Sequence, residues 1–394
     1  MRYRTQCYRT HSIWERRCPL SSFFLSSLDF AGGSTLYHIF ESAAEARRTG
    51  IGTIKTIAQM AGVSIGTVDR VLHKRGRVSP ATEKRILGII KKLEYKPNIF
   101  ARNLKLAKTF VFGVLMPQPA QDSAYWTLPL KGVARAEAEL HSQRVRVRRF
   151  FYNKRSEASF YRVRRKIMAS SLDGLLVAPV SSRPFERFLR DVSPRLSCVF
   201  FDSFIPGIPH LASIGQDSFQ SGVLSGRLMR WLVTEPGHVA AIRVLPRDYH
   251  IDDRVKGFLS YCRECPHVTA EIYDFEPDGA QGAADRLFDR IFRLHPDLRG
   301  IFVSNASTHR AAAYVKSRGA AGRVHIIGYD LIDENVRFLR EGVIDFLISQ
   351  QPERQGYEGV TTLFRHVFLK EAVPKKVMMQ IDIVTSENVD FYRS

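Results

Sequence analysis

The sequence predicts a small all-α domain built on a helix-turn-helix, followed by an α/β region of two lobes, each a Rossmann-like parallel sheet. Three observations predict it. Apolar residues recur at helical spacing between Ile54 and Leu93, broken once by a Gly-containing turn. From Phe110 onward nine short β-rich runs alternate with amphipathic stretches, which suits doubly wound sheets, and nine or more strands over residues 109–394 suit two sheets better than one. The 394-residue length also exceeds one ordinary core and points to about two to three domains.

Residues 1–50 precede the first helical pattern. Their short apolar stretch, Leu20 to Leu28, lies between Arg-rich ends and imitates a signal peptide, but Ser21, Ser22, Ser26 and Ser27 interrupt it and Asp29 follows directly. The segment is expected to be a disordered or weakly helical extension.

The helix-turn-helix is expected over residues 51–97. Ile54, Ile57, Ala58 and Ala61 form the inner face of a first helix. Gly62 tolerates a positive φ, Val63 turns inward, and Ser64 caps a second helix that buries Val68, Val71 and Leu72. Ser79 followed by Pro80 starts a third helix, with Ile86, Ile89, Ile90 and Leu93 on its inner face.

Charge points to the partner. The chain carries 59 Lys+Arg against 39 Asp+Glu, a net of +20, and residues 51–108 alone hold 13 against 3. Half of the excess therefore sits in the helical domain and its link, as an acidic partner requires. Nucleic acid fits better than membrane, since the sequence offers no apolar 18-mer and no amphipathic basic helix. The second helix exposes Ile65, Gly66, Thr67, Asp69, Arg70 and His73, the side a recognition helix turns to the major groove. Arg70 offers two donors to a guanine, Ile65 an apolar contact to a thymine methyl, and the hydroxyls of Ser64 and Thr53 suit phosphate. A basic face on three helices is often merely solvated. Here turn chemistry, spacing and local charge coincide.

Five scattered cysteines, Cys7, Cys18, Cys198, Cys262 and Cys265, fit a reducing compartment better than a disulfide framework. Cys262 and Cys265 form a C-x-x-C that lacks a second ligand pair, so no metal site and no cofactor is expected.

In the α/β region the runs are FVFGVLM, RVRVRRFFY, LDGLLVAPV, SCVFFDS, HVAAIRVL, AEIYDF, GIFVSN, VHIIGYD and IDFLIS. Ligands of such folds bind beyond the carboxyl ends of the strands. The candidates there are Tyr125, Trp126, Asp202, Asp217, Arg254, Asn305, Asp330 and Gln350. Carboxylate, amide and guanidinium groups around an aromatic platform suit a sugar, with its hydroxyl rim and C–H faces. Polar residues after strands are otherwise simply solvated loops.

The segment T-I-x-x-I-A-x-M-A-G-V-S-x-x-T-V-D-R-V-L from Thr53, then V-S-P-x-T, then L-x-Y-x-P-N, resembles the LacI family of bacterial transcription regulators. The resemblance extends to the end of the chain. Gly215 to Gly222 resembles the family's Asp-containing strand-to-helix entry, and Arg254 opens an R-x-x-G-F whose Arg usually holds the effector. Ile327 to Asp330 matches its G-Y/F-D element, and Ile348 to Pro352 its I-x-Q-x-P stretch. It implies a DNA-reading domain, a hinge helix over residues 98–108, and a periplasmic-binding-protein-like sensor of two lobes over 109–394. Tyr95, Asn98 and Ala101 are then further DNA-side positions, and Leu104 is the residue that wedges into the minor groove. The implied partners are double-stranded operator DNA, a sugar-like small-molecule effector and a second copy of the chain, acting in the cytoplasm and away from membranes. Three departures stand out. Gly66 replaces a longer polar residue common in that slot, Asp69 stands where Ser is frequent, and the usual Asn-Asp pair reads Asn305-Ala306.

Two other classes compete with a regulator. A secreted sugar-binding protein explains only the second half of the chain. An enzyme needs a reactive constellation, yet the sequence contains no G-x-S-x-G, P-loop, H-E-x-x-H or G-x-G-x-x-G, so no catalytic residue is assigned. His210, His238, His250 and His325 occur singly, as structural or solvated histidines do.

Overall fold

A computed structural model describes residues 53–72, 75–93, 95, 108–180, 182–246, 248–277 and 282–392. The chain forms two compact units, Met1–Pro97 and Asn98–Ser394. The extension expected over 1–50 and nearly all of the expected hinge lie outside the described residues, as do His73, Asn98, Ala101 and Leu104.

In the first unit the expected helices are α1 (Ile54–Ala61), α2 (Ile65–Leu72) and α3 (Pro80–Lys92). Each start is capped by a hydroxyl. Thr53 Oγ1 accepts the Thr56 amide, Ser64 Oγ the Thr67 amide and Ser79 Oγ the Thr82 amide. Gly62, at φ 61°, ends α1 with its amide on the Ala58 and Gln59 carbonyls, a left-handed step that Gly takes without a Cβ penalty. Ile57, Ala58, Ala61, Val68, Val71 and Ile86 form the core, with Leu72 half-buried at its edge.

The second unit repeats one architecture twice. Lobe 1 holds β1 (Phe110–Pro117), β2 (Val145–Tyr152), β3 (Gly174–Val177), β4 (Cys198–Phe201), β5 (Ala212–Gly215) and β11 (Lys376–Met378), all parallel, in the order β11-β5-β4-β3-β1-β2. Lobe 2 holds β6 (Gly237–Val244), β7 (Val268–Phe275), β8 (Leu298–Val303), β9 (His325–Tyr329), β10 (Phe346–Ser349) and β12 (Asp382–Val384), in the order β12-β10-β9-β8-β6-β7. Only β12 departs from the expected parallel sheets, pairing antiparallel to β10. Central strands β3 and β4 are buried at every position, whereas edge strand β2 alternates valines inward with arginines outward. The chain passes between the lobes after β5, after β10 and again between β11 and β12.

Helices flank both sheets. Lobe 1 carries α4 (Thr127–Glu139), α5 (Glu157–Met168), α6 (Arg183–Val192) and α12 (Pro352–Val367); lobe 2 carries α7 (Ser218–Leu232), α8 (Tyr249–Cys262), α9 (Ala283–Leu294), α10 (Thr308–Ser317) and α11 (Asp333–Arg340). In each lobe one helix pair crosses glycine to backbone. A Cβ on Gly222 of α7 would lie 2.1 Å from the Arg254 carbonyl oxygen, and one on Gly257 of α8 2.0 Å from that of Phe219. Gly132 and Gly356 hold α4 and α12 together in the same way.

Candidate functional site

In the first unit, α2 presents Ile65 with half its surface in solvent, beside exposed Gly66 and Arg70. Arg70 lies back along the helix, its Nε donating to the Gly66 carbonyl at 3.2 Å, which leaves four further guanidinium N–H donors. The hydroxyls of Thr53, Ser64 and Thr67 are engaged in caps, with Ser64 Oγ 3.0 Å from Thr67 Oγ1. These caps set the two helix starts, whose amides favour anions. Tyr95 is half-buried against the three-helix core.

In the second unit, seven of the eight expected positions meet in one cleft between the lobes: Tyr125, Trp126, Asp202, Arg254, Asn305, Asp330 and Gln350. Strand ends place them, near the points where strand order reverses. Asp202 follows β4 and Asp330 follows β9, both in the left-handed region, at φ 67° and 71°. Asp tolerates that conformation better than most residues, and each turns its carboxylate into the cleft from an equivalent place in its lobe. A run of three left-handed residues, Asp122, Ser123 and Ala124, delivers Tyr125 and Trp126. The Trp126 indole N–H donates to Asp122 at 2.7 Å, fastening that loop.

Arg254 is the largest buried polar group here, 1% exposed. Its guanidinium stacks 4.0 Å from the Tyr329 ring centroid and donates to the Ser304 carbonyl at 3.0 Å and to Gln350 Oε1 at 2.8 Å. Gln350 Nε2 in turn donates to Asp330 at 3.0 Å. Across the cleft the Tyr125 hydroxyl donates to Asp202 at 2.6 Å. The Asn305 side-chain oxygen Oδ1 accepts the Ser307 amide at 2.8 Å, and Ala306, which replaces the usual Asp, is buried beside it.

Burial dominates the electrostatics. It pushes the Asp330 carboxyl up to about 7 against the pull of Arg254 and Gln350, and the Asp202 carboxyl up to about 6 against the pull of Tyr125 and Arg254. His250 is 3.8 Å from Asp202, but burial, with Arg254 and Lys154 nearby, lowers its pKa well below the ordinary value, so the imidazole is neutral and the contact is not an ion pair. Burial also opposes the charge on Lys154, yet Asp122 at 3.2 Å and Asp248 at 3.5 Å outweigh it and hold the ammonium charged. Lys154 follows β2 of lobe 1 and Asp248 opens α8 of lobe 2, so this contact fastens the lobes together.

Sequence reasoning misplaced Asp217. It is exposed and caps α7, its Oδ1 accepting the Gln220 amide at 2.9 Å. The strand-end rule fails there because β5 lies away from the order reversal and the chain is already leaving the lobe. The residue beside it matters more: Gln216 Nε2 donates to the Ser349 and Gln380 carbonyls, both at 2.7 Å, and so joins all three crossings. Sequence reasoning also passed over Asp122, Lys154 and His250, all in the cleft wall. Lys154 directly follows the FFYN end of a strand, so the same rule would have found it.

A recognition-helix domain and a two-lobed sensor in one chain define a DNA-binding transcription regulator. The model for bacterial regulatory proteins of the lacI family matches residues 53–98, and that for a periplasmic binding protein domain matches residues 112–371. The chain belongs to the lacI family of bacterial regulatory proteins, whose members bind operator DNA and small-molecule effectors. It is 26% identical over 351 residues to the HTH-type transcriptional repressor PurR of Aliivibrio fischeri (strain ATCC 700601 / ES114), covering 86% of this chain and 98% of that one. It is 24% identical over 244 residues to the xylose/arabinose-binding protein XylF of Sulfolobus acidocaldarius, where the match spans 57% of this chain and 60% of the relative. Its fold matches a putative LacI transcriptional regulator from Bacteroides fragilis with a TM-score of 0.67 at 28% identity, over 72% of this chain and 100% of the other. The regulator match at the start of the chain sets aside a secreted binding protein.

Proposed function

We propose that this regulator is a repressor whose hold on its operator is set by a small, sugar-like effector bound between the two lobes. Residues 51–97 read DNA, 98–108 form the hinge, and 109–394 sense the effector and pair two copies of the chain. As a homodimer it reads a pseudo-palindromic site, two-fold protein symmetry matching the half-sites. Its place of action is the cytoplasm, where the operator lies. Among the described residues no helix is long and apolar enough to cross a membrane. The reading assigns the chain no catalytic step.

The observation that carries the effector is a polar cleft with unspent hydrogen-bonding capacity. Arg254 Nε and His250 Nδ1 are buried without a protein partner among the described residues. Such groups are costly unless a ligand satisfies them. With the carboxylates of Asp202 and Asp330 as acceptors and the edge-to-face pair Tyr125 and Trp126 as an aromatic wall, the set fits a polyhydroxylated molecule. The cleft as it stands encloses about 30 Å³, room for about one or two waters, so the lobes part to admit a sugar.

The test is a thermal-shift screen of the purified protein against sugars, sugar phosphates and nucleobases, followed by gel shifts with the operator. A sugar or sugar derivative that raises the melting temperature and also changes operator affinity is the expected result. A nucleobase as the only hit, or a sugar that stabilises the protein without affecting DNA binding, sinks the reading.

A further inference from the structure

We propose that His238, Glu271 and His295 form a binding site for a divalent transition-metal ion of the zinc class, in lobe 2 at the opposite end of β6 from the cleft. Sequence reasoning left His238 as an isolated histidine. The fold brings it to Glu271 of β7 and to His295, the residue that ends α9, with one ligand atom from each within 4.8 Å of the others.

His238 is the reason to expect a ligand. Its side chain is 4% exposed, and its Nε2 is buried with no hydrogen-bond partner among the described residues. A buried ring nitrogen without a partner carries a desolvation cost that nothing in the protein offsets. The pairing of β6 with β8 slips between His238 and Val239, and such irregularities re-aim a side chain.

The other two ligands lie close by. The His295 ring stacks on His238 with centroids 3.4 Å apart, and its Nε2 is 2.5 Å from the Tyr273 hydroxyl. Tyr273 donates to Glu271 Oε2 at 3.0 Å, and that oxygen lies 3.8 Å from His295 Nε2. Tyr273 therefore touches both proposed ligands and steers the Glu271 carboxylate toward His295.

Two imidazole nitrogens and one carboxylate oxygen suit a borderline divalent ion, with the remaining position open to water. Ligand atoms about 2.1 Å from a tetrahedral zinc stand about 3.4 Å apart, so separations of up to 4.8 Å contract by at most about 1.4 Å on binding. Parallel rings hold their lone pairs in parallel planes, so the His295 ring, 15% exposed, turns out of the stack to share the ion. The exposed Glu271 carboxylate follows without disturbing the core.

The experiment uses the full chain stripped of metal, titrated with zinc sulfate in a calorimeter and with cobalt(II) in the visible spectrum. The expected result is one tight equivalent of zinc, a cobalt absorption of low-symmetry nitrogen and oxygen ligation, and at least tenfold weaker binding in both His238→Gln and Glu271→Gln. Glu271→Gln is the decisive variant, because the side chain is exposed and its loss leaves the metal-free melting temperature unchanged. Arg254→Ala, at the cleft, should bind zinc as the wild type does, which separates this site from the effector site. Wild-type zinc affinity in Glu271→Gln and His295→Gln, or no stoichiometric uptake at micromolar zinc, means the stacked histidines are packing alone and overturns the proposal.

Discussion

Asp330 and Asp202 sit in left-handed backbone at the floor of a buried cleft, where a carboxylate is held at a cost. Burial raises both pKa values, to about 7 and about 6, so the folded chain favours their protonated forms more than the unfolded chain does. The stability this brings is complete below the ordinary carboxylate value near about 4 and is lost as pH rises through about 7. Asp330→Asn keeps the shape and removes the charge. Between pH 5 and pH 8 the effector-free wild type should lose melting temperature, and the variant should lose distinctly less; parallel profiles would mean that Asp330 stays ionised throughout. Arg254 makes the opposite contribution, holding a permanent cation against Gln350 and the Ser304 carbonyl. In the proposed function, Arg254→Ala removes a charged donor from a polar ligand, worth about 2 kcal/mol or about thirtyfold in affinity. Titration of the effector into the protein–operator complex should show that loss, with effector-free operator affinity retained.

At the scale of elements, the crossings of α7 with α8 and of α4 with α12 fix where the cleft residues stand. Arg254 lies three residues before Gly257 on α8, and its carbonyl touches Gly222 of α7. Gly257→Ala would put a methyl 2.0 Å from the Phe219 carbonyl oxygen, a backbone atom that cannot yield without parting the helices. A loss of about 1–3 kcal/mol is expected, together with weaker effector binding, because α8 carries Arg254 with it. Gly88 on the outer face of α3 is the contrast: a Cβ there meets nothing within 4 Å, so Gly88→Ala should stabilise the first unit by about 0.5–1 kcal/mol in a denaturant titration. The strands were legible in the sequence where their pattern is strong: continuous apolar runs became β1, β3, β4 and β6, and the alternating VRVRR became an edge. Strands β5, β11 and β12 were not legible. They are three or four residues long, and their pairing depends on the crossings between lobes, which local pattern does not encode.

For the whole molecule, the question is what holds the two lobes at their present angle. Three chain crossings join them, stapled by Gln216, and Lys154 of lobe 1 reaches Asp248 of lobe 2 at 3.5 Å. The motifs carrying Arg254, Asp330 and Gln350 made half of the cleft readable from sequence. The clasp was not readable, since Lys154 and Asp248 are 94 positions apart and meet only when two separately folded sheets face each other. The clasp biases the lobes toward the closed arrangement, and an effector held by both walls adds to the same bias. Asp248 is outside the wall of the cavity, so it can be changed without removing a ligand contact. It precedes α8 as the N-cap residue, a place Asn fills equally well, and Asp122 still pairs with Lys154 at 3.2 Å. Asp248→Asn therefore weakens the clasp and leaves the Asp122–Lys154 pair in place. Losing one charged interlobe contact of about 1 kcal/mol lowers the closed population, and apparent effector affinity falls with it, about fivefold. Small-angle scattering of the effector-free variant should give a larger radius of gyration than the wild type, and saturating effector should bring the two together. If the variant keeps the wild-type radius and the wild-type effector affinity, the crossings alone set the lobe angle and Lys154 serves only to balance the charge of Asp122.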